Sequence, residues 1–385
     1  MIYQDFGKTD MKVSVVGMGC EYVWHADGET TAHVLERAIA AGVNYFDIFV
    51  ATPATREHYG KTLKKYRDKI YLAAHLGAAE IDGQYMKTRD MALCRQFMEE
   101  FYDKLQTNYA DVLFLHNCDQ LDDYHTIMTG GMYDYAQELK AAGKARYIGI
   151  STHSTVIALE AVKSGKIDVL MFPVNPLFNM LPQDIADFRM KGRKMEALSE
   201  EEKAAYPTKD ELYEACAQRN IPIIAMKPFA GGNILKDHEG GLIKGIMSLT
   251  PVQCISYVHS FPNVDICPVP GVKDVAELEA ALAYVTATDE EKDFSEINDS
   301  LAAKFESRCM YCNHCQPCPK GIDIAEVTKL ADMAEQGMTD ELRTRYDALE
   351  VKTGDCIQCG GCTGRCPFGI DAAGNMRRAL KIYGC

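Results

Sequence analysis

Asp111-Val-Leu-Phe-Leu115, the amphipathic stretch Met132–Ala142, Gly143 and then Tyr147-Ile-Gly-Ile150 make one complete strand–helix–strand repeat. Short β-branched and aromatic runs read as strands, apolar residues at three- and four-residue spacing as helices, and a glycine just past a helix as its C-cap. The same alternation extends in both directions. Its apolar runs are Val13–Val16, Asn44–Phe46, Ile70–Ala74, Asp111–Leu115, Tyr147–Ile150, Asp168–Pro173, Pro222–Ala225 and Ile266–Val269. Between them lie helical patterns at Thr30–Ala41, Asp90–Leu105, Met132–Ala142, Thr155–Lys163, Thr208–Arg219, Pro251–Ser260 and Asp274–Val285, with Gly42, Gly143 and Gly165 as stops. This order predicts an α/β fold, a (β/α)8 TIM barrel over residues 1–285. The charged segment Phe188–Tyr206 reads as a solvated loop with a helical stretch at Ser199–Ala205.

At 385 residues and 47% apolar content the chain supports one large core and a small appendage. Met1–Gly7 lacks the basic and apolar regions of a signal peptide, and no apolar run spans a bilayer, so a soluble, cytoplasmic protein is expected. A formal charge of −14 disfavours nucleic acid and anionic membranes as partners. Residues 286–308 read as a helical linker, after which the composition turns to Cys, Gly and Pro. Fifteen cysteines in a reducing compartment suggest metal rather than disulfides.

Cys356-Ile-Gln-Cys359-Gly-Gly-Cys362-Thr-Gly-Arg-Cys366-Pro367 has the C-x2-C-x2-C-x3-C-P spacing of bacterial ferredoxins. Cys309-Met-Tyr-Cys312-Asn-His-Cys315-Gln-Pro-Cys318-Pro319 is the same pattern one residue shorter before its last cysteine. Three closely spaced cysteines wrap one cubane, and the fourth, before proline, reaches the other. Two 4Fe–4S clusters are therefore expected in residues 309–385, as a small bacterial-ferredoxin-like α+β domain. Cluster one would use Cys309, Cys312, Cys315 and Cys366, and cluster two Cys356, Cys359, Cys362 and Cys318. The echo of Cys318-Pro-Lys-Gly-Ile-Asp323 in Cys366-Pro-Phe-Gly-Ile-Asp371 agrees with a pseudo-twofold pair. Structural zinc prefers two pairs of cysteines rather than two runs of four. Exposed cubanes imply oxygen sensitivity and an anaerobic host. Of the other cysteines only Cys20, after the first strand, would sit at the barrel mouth.

The opening from Met1 to Gly19, together with Asn44-Tyr-Phe-Asp47, Asp111-Val-Leu-Phe-Leu-His116, Tyr147-Ile-Gly-Ile-Ser151, Met226-Lys-Pro-Phe-Ala-Gly-Gly232 and Pro268-Val-Pro-Gly271, resembles the aldo/keto reductases. The cysteine-rich remainder looks like the ferredoxin-type extension of one branch of such proteins. The resemblance implies carbonyl reduction with a nicotinamide cofactor by an Asp, Tyr, Lys, His tetrad, in which Tyr donates the proton. Asp47 and His116 match the Asp and His, but Thr52 stands where the Tyr belongs and His75 where the Lys belongs. Among cofactor contacts, Ser151, Gly231, Gly232 and Gly271 are retained. The neighbour of Ser151 is Thr152, the strand-six Gln is replaced by Met171, and an acid, Glu277, takes the place of an Arg beside Lys273, where it would repel an adenosine 2′-phosphate. NAD(P)H is therefore not a given.

Strand ends at the mouth of the barrel supply Cys20, Glu21, Asp47, His75, His116, Ser151, His153, Asn175 and Lys227. One reading makes His75 or His116 the general acid, with Asp47 fixing its tautomer, in an oxidoreductase that passes electrons through the clusters to or from a small organic substrate, with ferredoxin or a flavoprotein as redox partner. A second has His75, His116, His153 and Asp47 bind a divalent metal for lyase, isomerase or hydrolase chemistry. A third makes the barrel a non-catalytic dock for a redox partner. Tyr22, Tyr85 and Arg89, placed in loops over the mouth, offer substrate contacts.

Overall fold

A computed structural model of the chain describes residues 1–180, 206–232, 234–235, 249–295, 309, 311, 315–366 and 370–384. The chain opens with an antiparallel hairpin, β1 (Tyr3–Asp5) and β2 (Lys12–Ser14). The barrel strands follow as β3 (Met18–Gly19), β4 (Tyr45–Ile48) and β5 (Tyr71–Leu76). A second hairpin, β6 (Ala78–Ile81) and β7 (Gln84–Lys87), interrupts the order before β8 (Ala110–Leu115), β9 (Ala145–Ser151), β10 (Val169–Pro173), β11 (Ile223–Met226) and β12 (Ile266–Val269). The eight barrel strands form one parallel sheet in sequential order.

A bridge between Gly19 and Gly271, with the Gly17 amide donating to the Pro268 carbonyl at 2.9 Å, closes the sheet into a barrel. The closure needs glycine at 271, where a Cβ would lie 2.2 Å from the Tyr22 ring. Inward residues such as Tyr45, Val112, Phe114, Met171 and Ile224 fill the lumen, and Phe6 and Met11 of the first hairpin plug its lower end. Outward faces pack on the surrounding helices through residues such as Val34, Leu35 and Phe101.

The predicted helices are present within a residue or two of their expected bounds, several with the cap their sequence supplies: Asp90 accepts from the Ala92 and Leu93 amides, and Thr208 forms a capping box with Glu211. Three differences have physical causes. Val13 and Ser14 belong to the plugging hairpin, and the first barrel strand comes later, at Met18–Gly19, because a buried plug strand and a buried barrel strand share one apolar pattern. Helix Pro53–Leu63 went unread because its buried face carries Thr55, Arg56, Gly60 and Thr62 alongside Tyr59 and Leu63. Hairpin β6–β7 lacks a two-residue Asn-Gly signal and turns instead through Asp82 and Gly83, both left-handed.

Residues beyond the barrel have a core of their own, with Val327, Leu330, Tyr346, Met376 and Tyr383 at its centre and the Tyr346 and Tyr383 rings stacked 3.9 Å apart. Among the described residues of 309–384 every regular element is helical, at Ile324–Gln336, Asp340–Asp347, Gly361–Arg365 and Ala372–Tyr383. The expected α+β character finds no strand there, since Asp323, Thr339 and Asp371 each cap a helix in segments rich in helix formers. The charged insert 188–205 with its stretch Ser199–Ala205, linker residues 296–308, Cys312, Pro367 and Cys385 lie outside the described residues. No helix among the described residues is long and apolar enough to cross a membrane.

At the lower end of the barrel the buried Asp111 carboxylate takes Arg67 Nη2 at 2.8 Å, Arg146 Nη1 at 2.6 Å and the Leu72 amide at 2.9 Å. One side chain thus ties β8 to β5, to β9 and to the turn before β5. Asp111→Ala is expected to lower barrel stability by on the order of 3 kcal/mol, because two guanidinium groups lose their shared partner. Urea unfolding followed by circular dichroism measures this; a loss under about 0.5 kcal/mol would contradict it.

Candidate active site

Asp47 on β4, His75 on β5 and His116 just past β8 meet at the upper mouth, all three nearly closed to solvent. Asp47 Oδ1 lies 2.8 Å from His75 Nε2, and His75 Nδ1 lies 2.8 Å from His116 Nδ1. His116 Nε2 in turn hydrogen-bonds Tyr85 Oη. A carboxylate accepts, so His75 donates from Nε2, and with both imidazoles neutral the other roles follow. His75 donates from Nε2 and accepts at Nδ1, His116 donates from Nδ1 and accepts at Nε2, and Tyr85 donates its hydroxyl proton. A single directed proton chain therefore runs from Tyr85 to Asp47. Phe49 stacks on His116 with centroids 6.1 Å apart and meets Tyr85 edge-on at 5.7 Å, holding both rings in place.

Tyr85 reaches this position from hairpin β6–β7, where it pairs across the strands with Glu80. Glu80 accepts from the hydroxyl of Thr52, which also accepts from Trp24 Nε1 at 3.0 Å. The position expected to hold the tyrosine thus anchors the hairpin that brings a different tyrosine to His116. Burial pushes the Tyr85 hydroxyl well above its ordinary value, partly opposed by the positive charges of Arg89 and Arg365. The sequence reading placed Tyr85 over the mouth as a substrate contact; its bond to His116 depends on the hairpin, which periodicity does not reveal.

His153 lies in a different pairing. Its Nδ1 is 3.0 Å from Asp119 Oδ2 and its Nε2 is 2.8 Å from Lys227 Nζ. Asp119, unremarked in the sequence, also accepts from the His153 amide at 2.6 Å and from the Thr152 hydroxyl at 3.2 Å. Burial alone would raise the Asp119 carboxyl, but the adjacent His153 outweighs it and holds it at about 2. Burial and the Lys227 charge together push His153 down. Among the described residues no group of three or more His, Cys, Asp or Glu side chains is placed to share one metal ion. Of the residues expected to share a divalent site, His75 and His116 bond each other while His153 turns to Asp119 and Lys227.

Glu21 follows β3 at the same mouth. Burial raises its carboxyl to about 7, with Lys227 lowering it and Asp47 raising it. Burial also holds the Cys20 thiol far above its ordinary value, which leaves it a packing residue. Arg89 is committed to Asp123 at 2.7 Å and to the His116 carbonyl at 2.9 Å, so it braces the strand end. Ser151 is buried at the end of β9, and Gly231 and Gly232 form a tight turn with φ of 67° and 88°. Asn175 donates to the Lys227 carbonyl at 2.8 Å, Met171 faces the lumen, and Lys273 Nζ is tied to Glu277 at 2.9 Å.

In the C-terminal region Cys318, Cys356, Cys359 and Cys362 line one small cavity that opens to solvent. Left-handed Gln358 and Gly360 turn the loop on either side of the exposed Cys359, while Cys362 is buried and Cys356 half-buried. Cys309 and Cys366 pack against the barrel core instead, accepting from the Tyr311 and Ile370 amides at 3.4 Å each. Arg365, beside Cys366, donates to the Cys315 carbonyl at 2.7 Å, to the Pro317 carbonyl at 2.8 Å and to Gln84 Oε1 at 3.4 Å. It therefore links the cysteine-bearing loops to the residue next to Tyr85.

The chain is similar to the uncharacterized oxidoreductase YqkF of Bacillus subtilis, 27% identical over 182 residues, or 46% of this chain and 57% of that protein. The aldo-keto reductase YhdN of the same organism is 24% identical over 199 residues, 49% of this chain and 56% of that protein. The chain thus spans little more than half the length of these curated relatives. Among solved structures, the aldo-keto reductase AKR11C1 from Bacillus halodurans, in its holo form, superimposes with a TM-score of 0.57 at 21% identity, covering 76% of this chain and 94% of that one. The sequence profile of the aldo/keto reductase family matches residues 17–253. With most of the barrel inside that match, the chain belongs to the aldo/keto reductase family.

Proposed function

We propose that this protein is an iron–sulfur oxidoreductase that reduces a small carbonyl compound at the barrel mouth, with electrons arriving through residues 309–385 and a proton delivered by Tyr85. The observation that carries the reading is the cavity shared by Cys318, Cys356, Cys359 and Cys362. One of these comes from the first cysteine run and three from the second, the crossed set that two-cluster ferredoxin spacing requires. Amide donors to the Cys309 and Cys366 sulfurs suit thiolate ligands of the other set, with Cys312 and Cys315. When bound, two 4Fe–4S clusters would supply electrons one at a time.

Carbonyl reduction to an alcohol takes two electrons and two protons. Tyr85 ends its hydrogen-bond chain on the side away from Asp47; it turns its hydroxyl proton from His116 to the carbonyl oxygen, and the tyrosinate left behind takes a proton from water entering as product leaves. Glu21, which keeps its proton up to about 7, is the group at hand for the second. His153, Asp119 and Lys227 form a polar wall that orients the substrate. NADPH is a poor candidate for the donor, since Glu277 occupies Lys273 and would oppose a 2′-phosphate.

Protein purified without oxygen is expected to carry about eight irons per chain, and Cys318→Ser or Cys362→Ser about four. Iron-free protein, or variants that keep the full complement, would overturn the cluster assignment. Tyr85→Phe should slow turnover of small aldehydes and ketones, driven by reduced methyl viologen, by about 100-fold or more at unchanged iron content; an unaltered rate would remove Tyr85 from the mechanism. Turnover should also fall as pH rises through about 7, where Glu21 loses its proton and becomes a second anion beside Asp47. Glu21→Gln should be slower at pH 6 and flat across that range, and a profile identical to the parent's would count against this role.

A further inference from the structure

We infer that the face formed by the Cys356–Cys362 loop and helix Ala372–Tyr383 docks an acidic one-electron carrier protein. The inference rests on the cluster reading above and adds to it where electrons enter and the chemistry of what brings them. The two cysteine sets sit differently. Cys309 and Cys366 pack against the barrel core, whereas Cys359 of the other set is exposed. The exposed end is therefore the side from which a second protein can reach the cysteine-lined cavity, and the barrel side is where electrons leave.

Two features of that face point to a protein partner. Ile357, between two of the cysteines, is 56% exposed, the largest value among the big apolar side chains of the described residues, and Leu380 is 38% exposed. Arg377 Nη1 holds Gln358 Oε1 at 2.9 Å, joining the cysteine loop to the helix. On that helix Arg377, Leu380 and Lys381 fall at i, i+3 and i+4, on one side. The patch is thus an apolar centre with a cationic edge, the make-up of a small transient interface.

The charge distribution selects the partner. The chain carries −14 in total, yet residues 356–384 hold Arg365, Arg377, Arg378 and Lys381 against the single carboxylate of Asp371. Arg378 is engaged by Asp332 and Glu335, and Arg365 turns inward to carbonyl groups, which leaves Arg377 and Lys381 facing outward at the rim. Arg377 is shared with Asp371 at 3.2 Å in an exposed, weak pair. An acidic carrier is repelled by most of this molecule and attracted to this face, which steers it to the exposed cysteine.

The test uses the full chain with its clusters, after iron content and bleaching by dithionite have been measured, and a reduced acidic 2Fe–2S ferredoxin as the probe. Stopped-flow bleaching of the iron–sulfur absorbance by that probe should slow by about tenfold or more as salt rises from low to high ionic strength. Arg377→Glu with Lys381→Glu should slow it about tenfold at low salt and flatten the salt dependence, while dithionite bleaching and iron content stay as in the parent. Ile357→Ser should slow it without altering the salt slope. Equal rates in parent and charge-reversed protein, a parent rate indifferent to salt, or a self-association that the reversal abolishes in place of any effect on the carrier would each overturn the docking face. Protein that holds no iron and does not bleach with dithionite would instead overturn the cluster reading itself.

Discussion

A carboxylate shut away from water must be met by donors, and Asp47 at the mouth of the barrel is met by one, His75 Nε2 at 2.8 Å. That bond sets the tautomer of His75, which sets that of His116, which makes Tyr85 the donor at the far end. With both imidazoles neutral, this arrangement satisfies all four groups at once. The surrounding structure follows from the need to enclose the chain: Phe49 covers His116, Trp24 holds Thr52, and hairpin β6–β7 lies across the mouth with Tyr85 turned inward. Opening any link would leave a buried donor or acceptor alone, at a cost of about 1–3 kcal/mol.

Asp47 on the second barrel strand and His116 after the fourth are joined through His75 between them. Thr52 anchors the hairpin, His75 bridges Asp47 and His116, and the Tyr85 hydroxyl reaches His116 from that hairpin. The hairpin also touches the C-terminal region, since Gln84 accepts from Arg365 while Arg365 holds the Cys315 and Pro317 carbonyls. One arginine therefore joins the residue beside the proton donor to the loops that carry the cysteines.

The barrel was legible in the sequence because its apolar runs and caps repeat with a regular period. Asp47, His75 and His116 were legible as strand-end residues, but their order of bonding was not, since it depends on ring orientation. Tyr85 was visible only as a loop aromatic; the hairpin that aims it has weak turn chemistry at Asp82-Gly83 and short strands. Asp119 escaped because a single acid in the loop after a strand has no spacing signal, and His153 looked like a partner of His75 until Asp119 and Lys227 claimed it. Among the described residues of the C-terminal region the regular elements are helical, because capping residues and helix formers fill the space between the cysteine runs.

The central claim is that electrons reach the barrel mouth from the cysteine-held centres and not from a nicotinamide. A single turnover without oxygen tests it most directly: the protein is reduced, freed of reductant and mixed with a carbonyl substrate, and iron–sulfur absorbance and alcohol are followed together. Absorbance returning at the rate of alcohol formation, with two electrons lost for each alcohol made, is the predicted result. Alcohol that forms only when a nicotinamide is added, while the absorbance stays bleached, would contradict it.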